Sequence, residues 1–214
     1  MTLLQTILET DHALFHTINQ SWTSPFCDRL MPFIAAPGHF TPFMGLGAIL
    51  LLVWGGFRGR LFIAIMALAL LIGDAGINHA IKHLVHRPRP YQSMEGVRMV
   101  KQEGITFSGI PTTHPTGESF TSGHACNNVA LAFMACAVFG RAAWFLWVWA
   151  FLISYSRVYT GDHYPLDILG AWILSPLYCL MIVAVSARLW NYPGSKWFSS
   201  LHAKHPKPFE SYPC

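Results

Sequence analysis

Long apolar stretches dominate the pattern of hydrophobic and polar positions along this chain. Five of them approach the roughly 20 mainly apolar residues that a membrane-spanning helix needs. They cover residues 38–57, 61–80, 125–140, 141–158 and 166–190. The third and fourth are short and meet at Gly140 and Arg141, so we expect a tight turn and an antiparallel helix pair there. The pattern predicts an all-α, polytopic membrane bundle.

Two polar segments interrupt this pattern. The first, residues 1–36, has apolar positions broken by polar ones, which predicts an amphipathic helix that lies in the membrane interface and does not span. The second, residues 82–122, contains four prolines, which argue against one continuous helix. We therefore expect an interfacial segment at 1–36, a membrane-embedded domain at 37–192 and a cytoplasmic tail at 193–214.

Composition supports the membrane assignment. Hydrophobic residues make up 53% of the 214 residues and charged residues only 11%, far from the average of a soluble domain. The formal net charge of +4 is spread over loops, which favours basic anchors at helix ends over a surface for nucleic acid. We expect the lipid bilayer as the surroundings and no nucleic-acid partner; the oligomeric state is left open.

The basic residues also predict an orientation. With about five spans, the ends of spans two and four and the starts of spans three and five share one side of the membrane. The opposite side carries Arg58, Arg60, Arg141, Arg188, Lys196, Lys204 and Lys207. Short loops rich in Lys and Arg lie in the cytoplasm. All the candidate site residues below would then face the periplasm or exterior.

Two basic residues and the start of a helix lie on that side of the membrane. Lys82 and Arg89 follow span two, seven residues apart, so they share a helical face if the helix continues to Pro88. Ser122, Gly123 and His124 stand at the start of span three, where backbone N–H groups and the helix dipole attract an anion.

A histidine and a carboxylate complete the set. Span four ends with Ser156 and Arg157, and His163 precedes span five. Asp167 lies four residues after His163, on the same helical face. The chemistry that uses such a set is phosphoryl transfer, because fixed cations and amides match the spread charge of the transferring group. His163 would be the nucleophile, Asp167 would orient it, and His124 would protonate the leaving group, so no metal is required.

These segments resemble the signature of the type-2 phosphatidic acid phosphatase (PAP2) superfamily. That signature reads K-x6-R-P, then P-S-G-H, then S-R-x5-H-x3-D, and this chain departs from it at Thr121, where the family usually has proline. The resemblance centres on residues 61–190. It implies a bundle of about six helices with a haloperoxidase-like core, one helix of which could be the N-terminal one.

The resemblance also implies roles and substrates. His163 would become phosphohistidine, Asp167 would orient it, and His124 would act as acid and then base. The phosphate would be bound by Lys82, Arg89, Ser122, Gly123 and Arg157. Family members are metal-independent phosphatases of undecaprenyl diphosphate, phosphatidylglycerol phosphate, phosphatidic acid and lipid A, and some are phosphotransferases. We expect no cofactor, and undecaprenyl diphosphate as the first choice of lipid phosphate substrate.

Several alternatives stay open from the sequence. Each basic residue, taken singly, could be an anchor at a helix end. The histidines at 79, 83 and 86 could suggest a metal site, although headgroup contact or packing is the simpler interpretation. Asp74 and Asn78 inside span two could line an ion path or form a structural hydrogen bond, so a channel or transporter is a third function beside the phosphatase and the phosphotransferase. The segment 91–120 is the natural place for substrate selection, with Arg98, Lys101 and His114 as possible headgroup contacts.

Overall fold

The computed structural model describes residues 2–113, 115 and 118–209, and most of them are helical. The helices are α1 (Leu3–His16), α2 (Pro25–Ala35), α3 (Thr41–Trp54), α4 (Gly56–Ala69), α5 (His79–Val85), α6 (Pro90–Ser93), α7 (Gly123–Phe139), α8 (Phe145–Tyr159), α9 (Pro165–Leu189), α10 (Ser195–Trp197) and α11 (Ser199–Lys204). A π-helical segment, Leu70–Asn78, joins α4 to α5.

The five predicted stretches are all helical, but they differ in length. Within the described residues, three helical runs are long and apolar enough to cross a membrane: Gly56–Ser93, Gly123–Ala143 and Pro165–Trp197. Helices α3 and α8 have only 14 and 15 residues, short of the roughly 20 that a full span needs. The run containing α4 is longer than the predicted 61–80 because α4 begins at Gly56 and because α5 and α6 extend the run to Ser93.

Helix α7 is the centre of the bundle. In its most apolar window, 61% of the residues are buried, against 28% for the other two long runs. Many of its buried side chains are alanines, which let α4, α8 and α9 approach closely. Ala130 and Met134 pack with Phe62, Ile65 and Tyr178 in the largest apolar cluster.

The predicted N-terminal helix is present as α1. Thr2 and Gln5 cap its start reciprocally, with Gln5 N donating to Thr2 Oγ1 at 3.3 Å and Thr2 N donating to Gln5 Oε1 at 2.8 Å. Farther along, α1 buries Asp11 and Phe15. The Phe15 ring packs 5.4 Å from the ring of Tyr164, just before α9. The helix therefore touches the segment that starts α9.

A β-hairpin was not predicted from the sequence. Strands β1 (Arg98–Lys101) and β2 (Gly104–Phe107) pair antiparallel, with Arg98 opposite Phe107. Asn19 anchors the hairpin, because its side chain accepts from Arg98 N at 3.0 Å and donates to the Arg98 carbonyl at 2.8 Å. This anchoring residue lies 79 positions away, so no local pattern indicates it.

Gly73→Ala tests the close approach of α9 to the long helix. A Cβ at Gly73 would lie 2.4 Å from the ring carbon Cζ of Tyr178, and overpacking of this kind costs about 1–3 kcal/mol. We expect the thermal midpoint in detergent to fall by roughly 3–10 °C. Gly76→Ala is the matched control, because its Cβ would meet only Leu71 O at 3.5 Å. Equal midpoints for the two variants would contradict this packing.

Candidate active site

His163 and Asp167 meet at the start of α9. His163 Nδ1 lies 3.5 Å from Asp167 Oδ2, and both side chains are buried. Pro165 occupies the first turn of α9, where its fixed φ suits a helix start. Asp167 caps that turn by accepting from Tyr164 N at 2.9 Å. The same carboxylate therefore starts the helix and faces the histidine.

A tight turn brings His163 next to the end of α8. Gly161 has φ +84°, and a Cβ there would lie 2.7 Å from the carbonyl oxygen of Arg98. Only glycine adopts this conformation at little cost in so close a contact. The turn closes when His163 N donates to Arg157 O at 3.2 Å. Arg157 and His163, which have five residues between them in the motif, are thereby fixed against each other.

The environment of His163 favours the neutral imidazole. Burial lowers the pKa of His163, since the imidazolium would lose its hydration, and the nearby Arg157 and Arg89 act in the same direction. Asp167 opposes this shift through its hydrogen bond and charge. With Nδ1 directed at the carboxylate, Nε2 is the nitrogen left to act as a nucleophile.

Two buried polar atoms at the site lack a hydrogen-bond partner among the described residues. Ser122 Oγ and Arg157 Nε are buried and make no hydrogen bond with any described residue. Buried donors of this kind are rare unless a ligand uses them. Backbone contacts fix both residues, because Ser122 N donates to Asp167 O at 3.3 Å and Arg157 Nη1 donates to Ala35 O at 3.2 Å. An anion within hydrogen-bonding reach of both donors would satisfy them.

The remaining predicted residues lie near these two. A Cβ built on Gly123 would lie 3.8 Å from Lys82 Nζ, which puts the ammonium beside the start of α7. His124, the next residue of α7, lies within electrostatic range of Arg157 and His163. The structure thus brings the three motifs of the sequence together at one end of the bundle.

Asp162 is a site residue that sequence reasoning missed. Its carboxylate lies 3.0 Å from Arg157 Nη2 and 3.7 Å from Arg89 Nη1. Thr160 Oγ1 also donates to it, at 2.8 Å. Asp162 therefore partly neutralises both arginines that would hold a phosphate. Its place directly before His163 was the signal available in the sequence.

Two further residues missed by the sequence analysis donate hydrogen bonds to Asp167. Arg87 Nη1 donates to Asp167 Oδ1 at 2.8 Å, and Ser119 Oγ donates to Asp167 Oδ2. Arg87 also pairs with Asp11 of α1. Arg87 lies inside the "KHLVHRPRP" stretch, two positions before Arg89, but nothing local distinguishes it from an anchor.

Asp74 and Asn78 form the structural hydrogen bond considered above. Asn78 Nδ2 donates to Asp74 Oδ1 at 3.1 Å, and Asn127 Nδ2 of α7 donates to Asp74 Oδ2 at 3.0 Å. Thr121 Oγ1 donates to Asn78 Oδ1. The threonine at the family's proline position therefore ties the loop before α7 to the long helix.

Two of the three predicted headgroup contacts lie in the β-hairpin, at Arg98 and Lys101. The Arg98 guanidinium donates to Asp28 Oδ1 at 2.9 Å and to Asn19 O at 3.1 Å, so we assign it to holding the hairpin. Lys101 is exposed at the end of β1. His114 lies outside the described residues.

Two histidines of α5, His79 and His83, contact each other and the loop before α7. His83 Nε2 lies 3.0 Å from His79 Nε2, and His83 Nδ1 lies 3.2 Å from Glu118 Oε1. In the part of the chain that the structure describes, no group of three His, Cys, Asp or Glu side chains is placed to hold a metal ion. The contact with Glu118 joins α5 to the loop that leads to Ser119.

The sequence profile of the PAP2 superfamily matches residues 59–191. This match covers more than half of the 214 residues, so the chain belongs to the PAP2 superfamily. The protein is therefore an integral membrane enzyme of the PAP2 phosphatase class, which confirms the predicted family, fold class and enzyme class.

Its relatives carry phosphatase names. YbjG of Escherichia coli strain K12, provisionally named an undecaprenyl-diphosphatase, is 28% identical over 195 residues, 89% of this chain and 88% of that protein. A lipid A 4'-phosphatase of Bacteroides thetaiotaomicron is 27% identical over 157 residues, 71% of this chain and 66% of that protein. The crystal structure of a transmembrane PAP2-type phosphatidylglycerolphosphate phosphatase from Bacillus subtilis shares the fold, with TM-score 0.60 at 20% identity over 87% of this chain and 89% of that one.

Asp162→Asn tests whether Asp162 competes with phosphate for Arg89 and Arg157. Without its negative charge, Arg89 and Arg157 are free to bind an anion, so we expect inorganic phosphate to inhibit more strongly. Its inhibition constant should fall about 3–10-fold, measured by competition in detergent. Glu95→Gln removes an exposed carboxylate near the hairpin and serves as the control. Weaker inhibition in Asp162→Asn would mean that Asp162 instead holds the arginines ready for phosphate.

Proposed function

We propose that this protein is a metal-independent phosphatase of an envelope lipid, acting through phosphohistidine at His163. The observation that carries the proposal is a buried histidine held against Asp167, its pKa lowered by burial, beside two buried donors, Ser122 Oγ and Arg157 Nε, that lack a partner among the described residues. A nucleophile, its orienting group and donors for phosphoryl oxygens are the parts that phosphoryl transfer requires.

The first step forms the phosphoenzyme. Nε2 of His163 attacks phosphorus, and the bond from phosphorus to the leaving oxygen breaks. His124 donates a proton to that oxygen, so the leaving group departs as an alcohol or as a lipid monophosphate. The developing charge on the phosphoryl oxygens is balanced by Lys82, Arg89, Arg157, Ser122 and the amide of Gly123.

The second step releases phosphate. His124, now neutral, removes a proton from a water molecule, and the water oxygen attacks phosphorus of the phosphohistidine. The bond from nitrogen to phosphorus breaks, which returns the electron pair to Nε2 of His163. Asp167 stabilises the positive charge that the ring carries while it is phosphorylated.

Undecaprenyl diphosphate is the substrate that we favour. Support comes from the relatives named as undecaprenyl-diphosphatases, which include proteins of Escherichia coli and Sulfolobus acidocaldarius. Lipid A and phosphatidylglycerol phosphate come next, on the names of other relatives. Phosphatidic acid is the last candidate substrate, because only the resemblance to the family supports it.

The first test is phosphate release by purified protein in detergent with EDTA present, from each of these four lipids. His163→Ala should lower the rate at least about 1,000-fold, because the nucleophile is lost. His16→Ala, which removes an exposed histidine of α1, is the matched control and should match wild type. A phosphoryl label that is stable in base and labile in acid should appear on wild type but not on His163→Ala.

Each contrary outcome has a distinct meaning. Release that survives in His163→Ala would overturn the phosphohistidine route. Release that EDTA abolishes would overturn metal independence. Release that begins only after a second lipid is added as acceptor would identify a phosphotransferase instead.

We further propose that the site faces the periplasm or exterior, on the basis of the basic residues at the opposite ends of the helices. Lys101→Cys on the hairpin should then react with a membrane-impermeant maleimide in intact cells, above the background of the native cysteines. Arg141→Cys, in the turn between α7 and α8, should react only after lysis. The reverse labelling pattern would put the site in the cytoplasm.

A further inference from the structure

Asp11, in helix α1, carries a buried carboxylate and lies far in sequence from the three motifs. Only 3% of it is exposed. Oδ1 accepts from Leu166 N, in the first turn of α9, at 2.8 Å, and Oδ2 pairs with Arg87 Nη2. Burying an ionised carboxylate is unfavourable unless such partners replace water. The contacts of Asp11 therefore fix α1 to the start of α9.

Arg87 connects Asp11 to the active-site carboxylate of Asp167. Its guanidinium binds Asp11 through Nη2 and Asp167 through Nη1, and its central carbon lies 4.0 Å above the ring of Tyr164. The planar fork and the stacking together leave it little freedom to rotate. The position of the Asp167 carboxylate, and with it Nδ1 of His163, thus depends on where Asp11 holds Arg87.

We propose that Asp11 is a positioning residue for the nucleophile: through Arg87 it sets the place and the charge of Asp167, so that α1 is part of the catalytic apparatus. This inference rests on the proposed role of His163. Asp11 lies outside the residues 59–191 that match the family, so the family signature does not include it.

The charges around His163 determine what loss of Asp11 would do. The charged groups that interact with His163, directly or through Asp167 and the site arginines, are Arg87, Arg89, His124, Arg157, Asp162, Asp167 and Asp11. Asp11 offsets the charge of Arg87. Without it, the field at His163 becomes more positive, which disfavours the imidazolium and makes the imidazole a weaker nucleophile. Loss of Arg87 would remove a positive charge and would therefore favour the imidazolium.

The experiment compares pH profiles of kcat/KM for Asp11→Asn, Arg87→Gln and wild type, in detergent with EDTA, on a lipid that the wild type cleaves. For Asp11→Asn we expect a plateau about tenfold lower and an acid limb about half a unit lower in pH. For Arg87→Gln the acid limb should move to higher pH. The inhibition constant of inorganic phosphate should stay within about twofold of wild type in Asp11→Asn, since its phosphate-binding residues are intact.

Two control variants separate positioning from folding. Glu9→Gln removes an exposed carboxylate of the same helix and should leave the profile unchanged. Ile18→Val loosens the packing of the N-terminal segment, so it should lower the thermal midpoint without moving the acid limb. A loss of active fraction lowers the plateau but cannot shift the limb, so the limb is the decisive measurement.

An activity-independent measurement completes the test. The titration of His163, followed by NMR on histidine-labelled protein and assigned with His163→Ala, should shift in the same directions in the two variants. Unchanged titration in Asp11→Asn, or shifts of the same sign in both variants, would overturn the positioning role. If His163→Ala still released phosphate while the titration shifted as expected, the proposed function would fail and the link from Asp11 to His163 would stand.

Discussion

The structure depends on the buried carboxylate of Asp167, in the first turn of α9. It has no exposed surface, and an ionised carboxylate is stable in such a place only with charged and hydrogen-bonding partners. Those partners are His163, Tyr164 N, Ser119 and Arg87. They come from the turn before α9, the loop before α7 and the segment after α5, so these segments must converge for α9 to start where it does.

The apolar core makes this convergence possible. Alanine-rich α7 lets three neighbours pack closely around it. Ser122, which precedes α7, and Gly123, its first residue, place their backbone amides at the same end of the bundle as Asp167. The apolar packing that stabilises the fold thus lies in the middle of the helices, and the candidate site residues lie at their ends. This separation lets charged groups gather at the site without interrupting the apolar packing.

The arginines of the site are paired with carboxylates before any phosphate arrives. Asp162 lies between Arg89 and Arg157, and Asp11 and Asp167 share Arg87. Close cations repel one another in a medium of low dielectric, so interleaved carboxylates stabilise the free protein. The arginine that supports the histidine and the arginines proposed to bind phosphate are held by different carboxylates, which separates the two tasks.

The sequence by itself determined the helical membrane class, the family and the three motifs, because these depend on local apolar runs and on fixed spacings. It also indicated α1, whose alternating pattern is local. Only the tertiary structure decided the roles of Asp11, Arg87 and Ser119, since the contact of Arg87 with Asp11 joins residues 76 positions apart. The same holds for Arg98, because the sequence does not distinguish one basic residue between two spans from another. Its ion pair with Asp28 shows that it supports the hairpin. Residue type and spacing specify the chemistry, whereas long-range contacts decide which charged groups reach it.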